Sequence, residues 1–124
     1  MELKEYQSRI PLAQVEQYYC IFPGRINHYK TLFGGQLLSW MDEIAFIVAT
    51  KLTRKKMLTV GIEAFQFKKP ILEGSFIKIV GKIEEIRTTS LKVVVTAFRE
   101  EMLSDESEEA ARAEFIFTVC KSEC

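Results

Sequence analysis

Asp42 is the first residue to explain. It stands in the run Leu37-Leu38-Ser39-Trp40-Met41-Asp42-Glu43-Ile44, where apolar side chains dominate. An ionisable group in such a setting is used, paired, or left at a solvated margin. A carboxylate there can act as a general base on water or as a nucleophile. The plainer reading is that Asp42 extends the narrow polar strip of Gln36, Ser39, Glu43 and Thr50. Gly34-Gly35 opens the same segment. If the segment is a helix, its first N–H groups lack intrahelical acceptors and carry the positive end of the dipole. Glycine lets a ligand approach that backbone closely, and such donors stabilise a developing oxyanion. Taken alone, the pair is more simply a tight turn into a helix.

The spacing of these two features has a consequence. Gly35 and Asp42 would share a helix face but sit roughly 10 Å apart along its axis. One small carbonyl cannot touch both. If both serve one kind of site, a second protomer supplies one of them, which implies a dimer with active sites at its interface.

Other polar residues are weaker signals. Asn27 could donate and accept hydrogen bonds, but a loop asparagine is commonly a turn residue. His28, the single histidine, has no serine or cysteine in nucleophile context and reads as a loop residue. Lys68-Lys69 before Pro70, and Arg87-Thr88-Thr89-Ser90 with Lys92, place cations and hydroxyls at strand ends, where they could hold phosphates or simply be solvated. The cysteines Cys20, Cys120 and Cys124 are odd in number and lack CxxC spacing. That gives little support to a disulfide framework or a zinc site, and a reducing, cytoplasmic setting is the simplest expectation. Cys20 and Cys120 read as small apolar strand residues.

The elements that must position these groups follow from periodicity. Residues 36–53 form the main helix: Leu37, Met41, Ile44, Val48 and Leu52 recur at spacings of three and four. Leu38, Ala45 and Ala49 widen the stripe, and Trp40, Phe46 and Ile47 add apolar bulk elsewhere. A helix apolar on most sides is a buried one, and Trp40, Phe46 and Phe65 read more safely as core than as walls of a ligand tunnel. Arg54-Lys55-Lys56 suits its C-terminal end. The period then changes to two over residues 58–68, 76–86, 91–99 and 113–120, with an acidic polar loop at 100–110. Residues 7–15 are expected to form a first strand, with Pro11 at an edge or start. The order is strand, helix, four strands: an α+β domain, residues 1–124, in which an antiparallel sheet wraps one long central helix. The chain has 17 basic and 17 acidic residues and no apolar run of membrane-spanning length, so neither a nucleic-acid nor a membrane partner is expected.

The stretch from Asn27 through Phe33-Gly34-Gly35 to Asp42-Glu43 resembles the hotdog-fold acyl-CoA thioesterases, in the YciA and brain acyl-CoA hydrolase branch. Thr59-Val60, Phe67-Lys68-Lys69-Pro70, Gly74 and the Thr89-Ser90 turn extend the likeness over residues 7–120. The resemblance implies a hotdog fold, hydrolysis of acyl-CoA to free acid and CoA, and homodimers or trimers of dimers. By position, Asp42 matches the family's catalytic carboxylate. Asn27 matches the polar residue brought by the neighbouring protomer, and Gly34 and Gly35 match the backbone facing the thioester carbonyl. Thr59, the 67–70 stretch (Phe67, Lys69, Pro70) and Arg87, Thr89 and Ser90 match positions near the CoA pocket. No metal and no cofactor beyond the substrate's own CoA are implied. Lys30 stands where many relatives have glycine, and Arg87-Thr88 departs from the Gly-Arg often found at that turn. The alternative of another class is a hotdog domain that binds acyl-CoA as a sensor or scaffold without hydrolysis. A hotdog dehydratase fits less well, since this helix carries no histidine.

Overall fold

The computed structural model describes residues 2–121. Cys124, named above, lies outside the described residues. A 3₁₀ segment, Leu3–Leu12, leads into strand β1 (Val15–Cys20) and a short 3₁₀ turn, Pro23–Arg25. Helix α1 (Gly34–Thr53) follows, then strands β2 (Met57–Phe67), β3 (Phe76–Ile86), β4 (Ser90–Glu100) and β5 (Ser107–Val119). The strands form one antiparallel sheet in the order β1-β3-β4-β5-β2. The expected α+β architecture, a sheet around one long helix, is what the chain adopts.

The core lies between α1 and the inner face of the sheet. Leu37, Met41, Ile44, Val48 and Leu52 are buried on the helix, and Ile77, Ile79, Leu91, Val93, Val95, Ala97, Phe115 and Phe117 on the strands. Each fully buried side chain of this size contributes roughly 1.5–3 kcal/mol of transfer free energy. Gly81 interrupts the isoleucines of β3 for a steric reason. A Cβ there would stand 2.7 Å from Ile44 Cγ2 and 2.9 Å from Val48 Cγ2, so its absence lets the helix cross close to the strand. The outer face carries charge instead: Lys92 lies 3.3 Å from Glu114 and 3.6 Å from Glu63, and Arg112 lies 2.9 Å from Glu114 and 3.6 Å from Glu84.

Four expectations need correction. Residues 7–15 are not a strand: Pro11 falls inside the 3₁₀ segment. That segment docks on the helix end, with Leu3 buried and Arg9 donating to the carbonyls of Leu52 and Lys51 at 2.8 and 3.1 Å. β5 starts at Ser107 rather than 113, because the acidic residues of the presumed loop enter the ladder: Glu108 pairs with Arg99 of β4 at 2.5 Å. The helix is not enclosed all round, since Phe46 and Ile47 are 46% and 42% exposed; Phe46 is therefore not core. Cys20 is a free, exposed thiol at the end of β1. Cys120 lies just past β5 and is partly exposed, so neither cysteine is a buried apolar strand residue. No helix among the described residues is long and apolar enough to cross a membrane.

Candidate active site

The start of α1 is open. Phe33 occupies the N-cap without a side-chain hydrogen bond. The amides of Gln36 and Leu37 both turn back to the Phe33 carbonyl, at 3.1 and 3.2 Å. The N–H groups of Gly34 and Gly35 therefore remain the forward-facing donors of the first turn. The two glycines do different things. A Cβ at Gly34 would lie 2.9 Å from Phe67 Cζ, whereas a Cβ at Gly35 would meet nothing within 4 Å. Gly34 is glycine so that the Phe67 ring can lie on the helix start; Gly35 faces open space. Beside them is a cavity of about 410 Å³ lined by Thr31, Leu32, Gly34, Leu37 and residues 67–71, which include Phe67, Lys69 and Pro70.

Asn27 sits in the loop leading to this helix start. Its Oδ1 accepts from Tyr29 N (2.9 Å), Thr31 N (3.2 Å) and Thr31 Oγ1 (3.1 Å). This is an Asx-type turn, and it fixes the loop on the wall that Thr31 gives to the cavity. All three bonds use the oxygen, which leaves the amide donors for another acceptor. Lys30, inside the turn, has φ +67°. That left-handed backbone is where glycine is at ease, which explains the glycine expected at this position.

Asp42 lies on the next turns of α1, half-buried. Thr59 Oγ1 of β2 donates to its Oδ1 at 3.2 Å. The pair opens on a second cavity, about 370 Å³, lined by Asp42, Glu43, Phe46, Ile47 and Thr59. The sequence does not single out Glu43 or Ile47 for a site, and it weighs Phe46 as a tunnel wall only to read it as core. The available signal was that Phe46 and Ile47 fall off the core stripe.

Within one chain, then, the predicted residues form two half-sites. Asn27, Gly34, Gly35, Phe67, Lys69 and Pro70 gather at the helix start, and Asp42 with Thr59 one to two turns along. Arg87, Thr89 and Ser90 belong to neither cavity. They form the β3–β4 turn, closed by Arg87 N to Ser90 O at 2.8 Å, with Arg87 paired to Glu85 at 3.1 Å. The ladder puts that turn at the Thr59 end of the sheet: Ser90 pairs with Thr118, which pairs with Leu58. His28 is exposed and tilts against Tyr29, as a loop residue would. Among the described residues no group of three or more His, Cys, Asp and Glu side chains could hold a metal ion.

The family model described as thioesterase superfamily matches residues 29–105, which include both half-sites apart from Asn27. The chain belongs to the thioesterase superfamily. It is 31% identical over 102 residues to the uncharacterized acyl-CoA thioester hydrolase YkhA of Bacillus subtilis, covering 82% of this chain and 59% of that protein. The solved acyl-CoA hydrolase of Staphylococcus aureus, in complex with butyryl coenzyme A and coenzyme A, superposes with a TM-score of 0.86 at 27% identity, over 91% of this chain and 69% of that one. Solved mutants of that hydrolase replace an aspartate, a threonine or an asparagine by alanine. The acyl-CoA hydrolase of Bacillus cereus superposes at 0.87 with 27% identity, over 91% and 69%. The chain thus spans little more than half the length of the curated relative. The likeness drawn from Asn27 to Glu43 holds at the level of family and fold.

Proposed function

We propose that this thioesterase-superfamily chain hydrolyses acyl-CoA thioesters to free acid and CoA, at sites shared between two protomers. The observation that carries the reading is the half-buried carboxylate of Asp42, oriented by Thr59 and open to a cavity. The similar hydrolases support the substrate class. The mutants of the Staphylococcus aureus enzyme concern the same three residue types as Asp42, Thr59 and Asn27.

The chemistry follows from the two half-sites. Helix-start N–H groups at Gly34 and Gly35 receive the thioester carbonyl oxygen and stabilise the oxyanion that develops on attack. Asp42 of the other protomer removes a proton from water as it attacks, or adds to the carbonyl itself to give a mixed anhydride that water then cleaves. In either route the C–S bond breaks, CoA leaves as thiolate and takes up a proton, and oxygen from water ends in the acid. Asn27 holds the water or the carbonyl through its amide group. Lys69 and Arg87 supply cations, and Thr89 and Ser90 hydroxyls, to the CoA phosphates, while Phe67 and Pro70 wall the pantetheine arm. The scheme uses no cofactor besides the CoA of the substrate.

Two protomers are needed because Gly35 and Asp42 stand roughly 10 Å apart on one helix. The face that would join them is available. β2 is an edge strand with Leu58, Val60 and Ile62 exposed, beside the exposed Phe46 and Ile47. A two-fold partner there would cover both the open edge and the apolar side chains. The reading keeps the cytoplasm as the place of action, which cell fractionation would check.

The test is a thiol-release assay with a panel of acyl-CoAs on wild type and Asp42→Ala. Tight binding with no CoA released by wild type would make the domain a sensor. Mixing Asp42→Ala with Asn27→Ala protomers tests the shared site, because each hybrid dimer regains one intact site. Under random mixing about a quarter of wild-type activity should return; none returning would place the whole site in one chain.

A further inference from the structure

Residues 21–32 carry Asn27 between β1 and α1. The two ends of this loop are held by burial of Ile21 and Leu32. Its outward backbone hydrogen bonds run to the segment after β2: Leu32 N to Ile71 O at 2.8 Å, Glu73 N to Lys30 O at 3.2 Å and Gly74 N to Ile21 O at 3.1 Å. Among the described residues no hydrogen bond runs from the loop to α1. The polar link to the helix is Arg25 instead. Its guanidinium carbon lies 5.1 Å from the Trp40 ring centroid and 5.7 Å from that of Phe22, both inside the roughly 6 Å reach of a cation–π contact. Its Nη1 donates to the Cys20 carbonyl at 3.2 Å. Trp40 is a firm seat: it is buried on α1 and stacked on Tyr19 of β1, with ring centroids 4.2 Å apart and planes 5° from parallel. Among the described residues the ion pairs do not include Arg25, so rings and a carbonyl, not a carboxylate, hold this cation.

We propose that Arg25 is a positioning residue for hydrolysis: its contact with Trp40 sets where the Asn27 amide stands relative to the start of α1. The inference rests on the thioesterase reading for the role of Asn27, and adds a residue outside both half-sites. The turn at Asn27 closes on itself, since Oδ1 takes three bonds from Tyr29 and Thr31. Those bonds fix the shape of the turn but not its place on the helix. Arg25 is two residues before Asn27, and Trp40 belongs to the same helix that Gly34 and Gly35 open. The contact therefore ties the amide to the helix whose first turn receives the carbonyl. It lies within one protomer and is complete before the partner's Asp42 joins the site. A planar guanidinium lying on a ring constrains both distance and direction, which an ammonium on a flexible stem does not.

The experiment compares Arg25→Met, which keeps the stem, with Arg25→Lys, which keeps the charge. Steady-state kinetics with butyryl-CoA are run at a temperature where every variant is folded. Arg25→Met should lower kcat about tenfold, within the 10²-fold that a misplacement of about 1 Å can cost. KM should change by less than about twofold. Arg25→Lys should show the same pattern at smaller amplitude. In an Asn27→Ala background, Arg25→Met should lower kcat by less than about twofold, because a residue acting through Asn27 has nothing left to act on. Hydrogen exchange read by NMR should quicken severalfold in Arg25→Met at the amides of Tyr29 and Thr31, and not at those of Ala45 and Val48 in mid-helix. Equal loss of kcat in both backgrounds overturns the proposal, as does full kcat in Arg25→Met. A raised KM that Arg25→Lys cancels also overturns it, by making Arg25 a contact to the CoA phosphates. If wild type releases no CoA, the hydrolase reading falls and exchange decides the clamp by itself. Quickened amides then keep Arg25 as the holder of the Asn27 turn, and unchanged amides remove it.

Discussion

The two ends of α1 are built in opposite ways. At the C-terminal end the orphan carbonyls are tied. Arg9 donates to Leu52 O and Lys51 O, Thr53 Oγ1 to Ala49 O at 3.1 Å, and Arg54, in the left-handed conformation, sends its N–H to Thr50 O at 2.6 Å. Cations there also complement the helix dipole. At the N-terminal end there is no side-chain cap, no acidic residue in the first turn, and two glycines. A helix N-terminus left so bare forgoes about 1 kcal/mol of capping stabilisation. The contrast shows where the side-chain bonds fall: one end of the helix is anchored, and the other has an N-cap that makes no side-chain hydrogen bond.

The sharpest way to break that contrast is to exchange the kinds of damage done at the two ends. Asp42→Ala should lower kcat for acyl-CoA hydrolysis by about 10²-fold or more and leave the unfolding midpoint almost unchanged, since the hydrogen bond it loses is to the exposed Thr59 hydroxyl. Arg9→Ala should do the opposite. Losing two hydrogen bonds from a charged donor, with two carbonyls left behind, should cost about 2–3 kcal/mol of stability, while kcat at a temperature where the protein is folded stays near wild type. Urea unfolding and a thiol-release assay on the same preparations decide it. A stability loss in Asp42→Ala as large as that in Arg9→Ala would make the carboxylate structural and erase the difference between the ends.

Much of this arrangement was legible in the residues. The core stripe of α1 and the strand alternation of β3 and β4 follow from periods that burial enforces, and Gly35 and Asp42 declared their separation by spacing alone. What was hidden depended on partners distant in sequence. The 3₁₀ segment looked like a strand because its role is set by Arg9 reaching Lys51 and Leu52. The acidic run after β4 looked like loop because Glu108 is balanced by Arg99 across the hairpin. Phe46 and Ile47 looked enclosed because composition cannot show that the sheet stops at β2. The role of Gly34 also lay out of reach: only the fold brings Phe67 onto it.

The next effect is smaller and of opposite sign for stability and function. Gly35→Ala adds a methyl that meets nothing within 4 Å, so it should stabilise the helix by about 0.5–1 kcal/mol. The same methyl stands beside the amide donors and should reduce kcat/KM. A variant both more stable and fully active would show that the open helix start is not where the carbonyl binds. Gly34→Ala would instead push the Phe67 ring away. Away from both ends of the helix, Lys30→Gly relieves a left-handed backbone at φ +67°. It should raise stability by about 0.5 kcal/mol, the unfolded chain's added freedom offsetting part of the gain. A loss on thermal unfolding would mean that the lysine side chain holds the Asn27 turn in place.

The smallest expected effect concerns the outer face of the sheet, which shares nothing with either end of α1 and so serves as the control. The Arg112 hydrogen bond holds the Glu114 carboxyl below the ordinary carboxylate range, with Lys92 acting in the same direction against partial burial. The folded state therefore binds that proton less readily than the unfolded chain does. The stabilisation is complete above the unfolded value, near 4.5, and is lost as pH falls through the lower folded one. Glu114→Gln should be slightly less stable than wild type at neutral pH, and the gap should close as the solution is acidified below that value. Urea midpoints measured across that range check it. A gap that stays constant with pH would mean that Glu114 stabilises by packing its stem and not by its charge. Activity in the variant should follow wild type at every pH where both are folded, because the network lies on the face of the sheet turned away from α1.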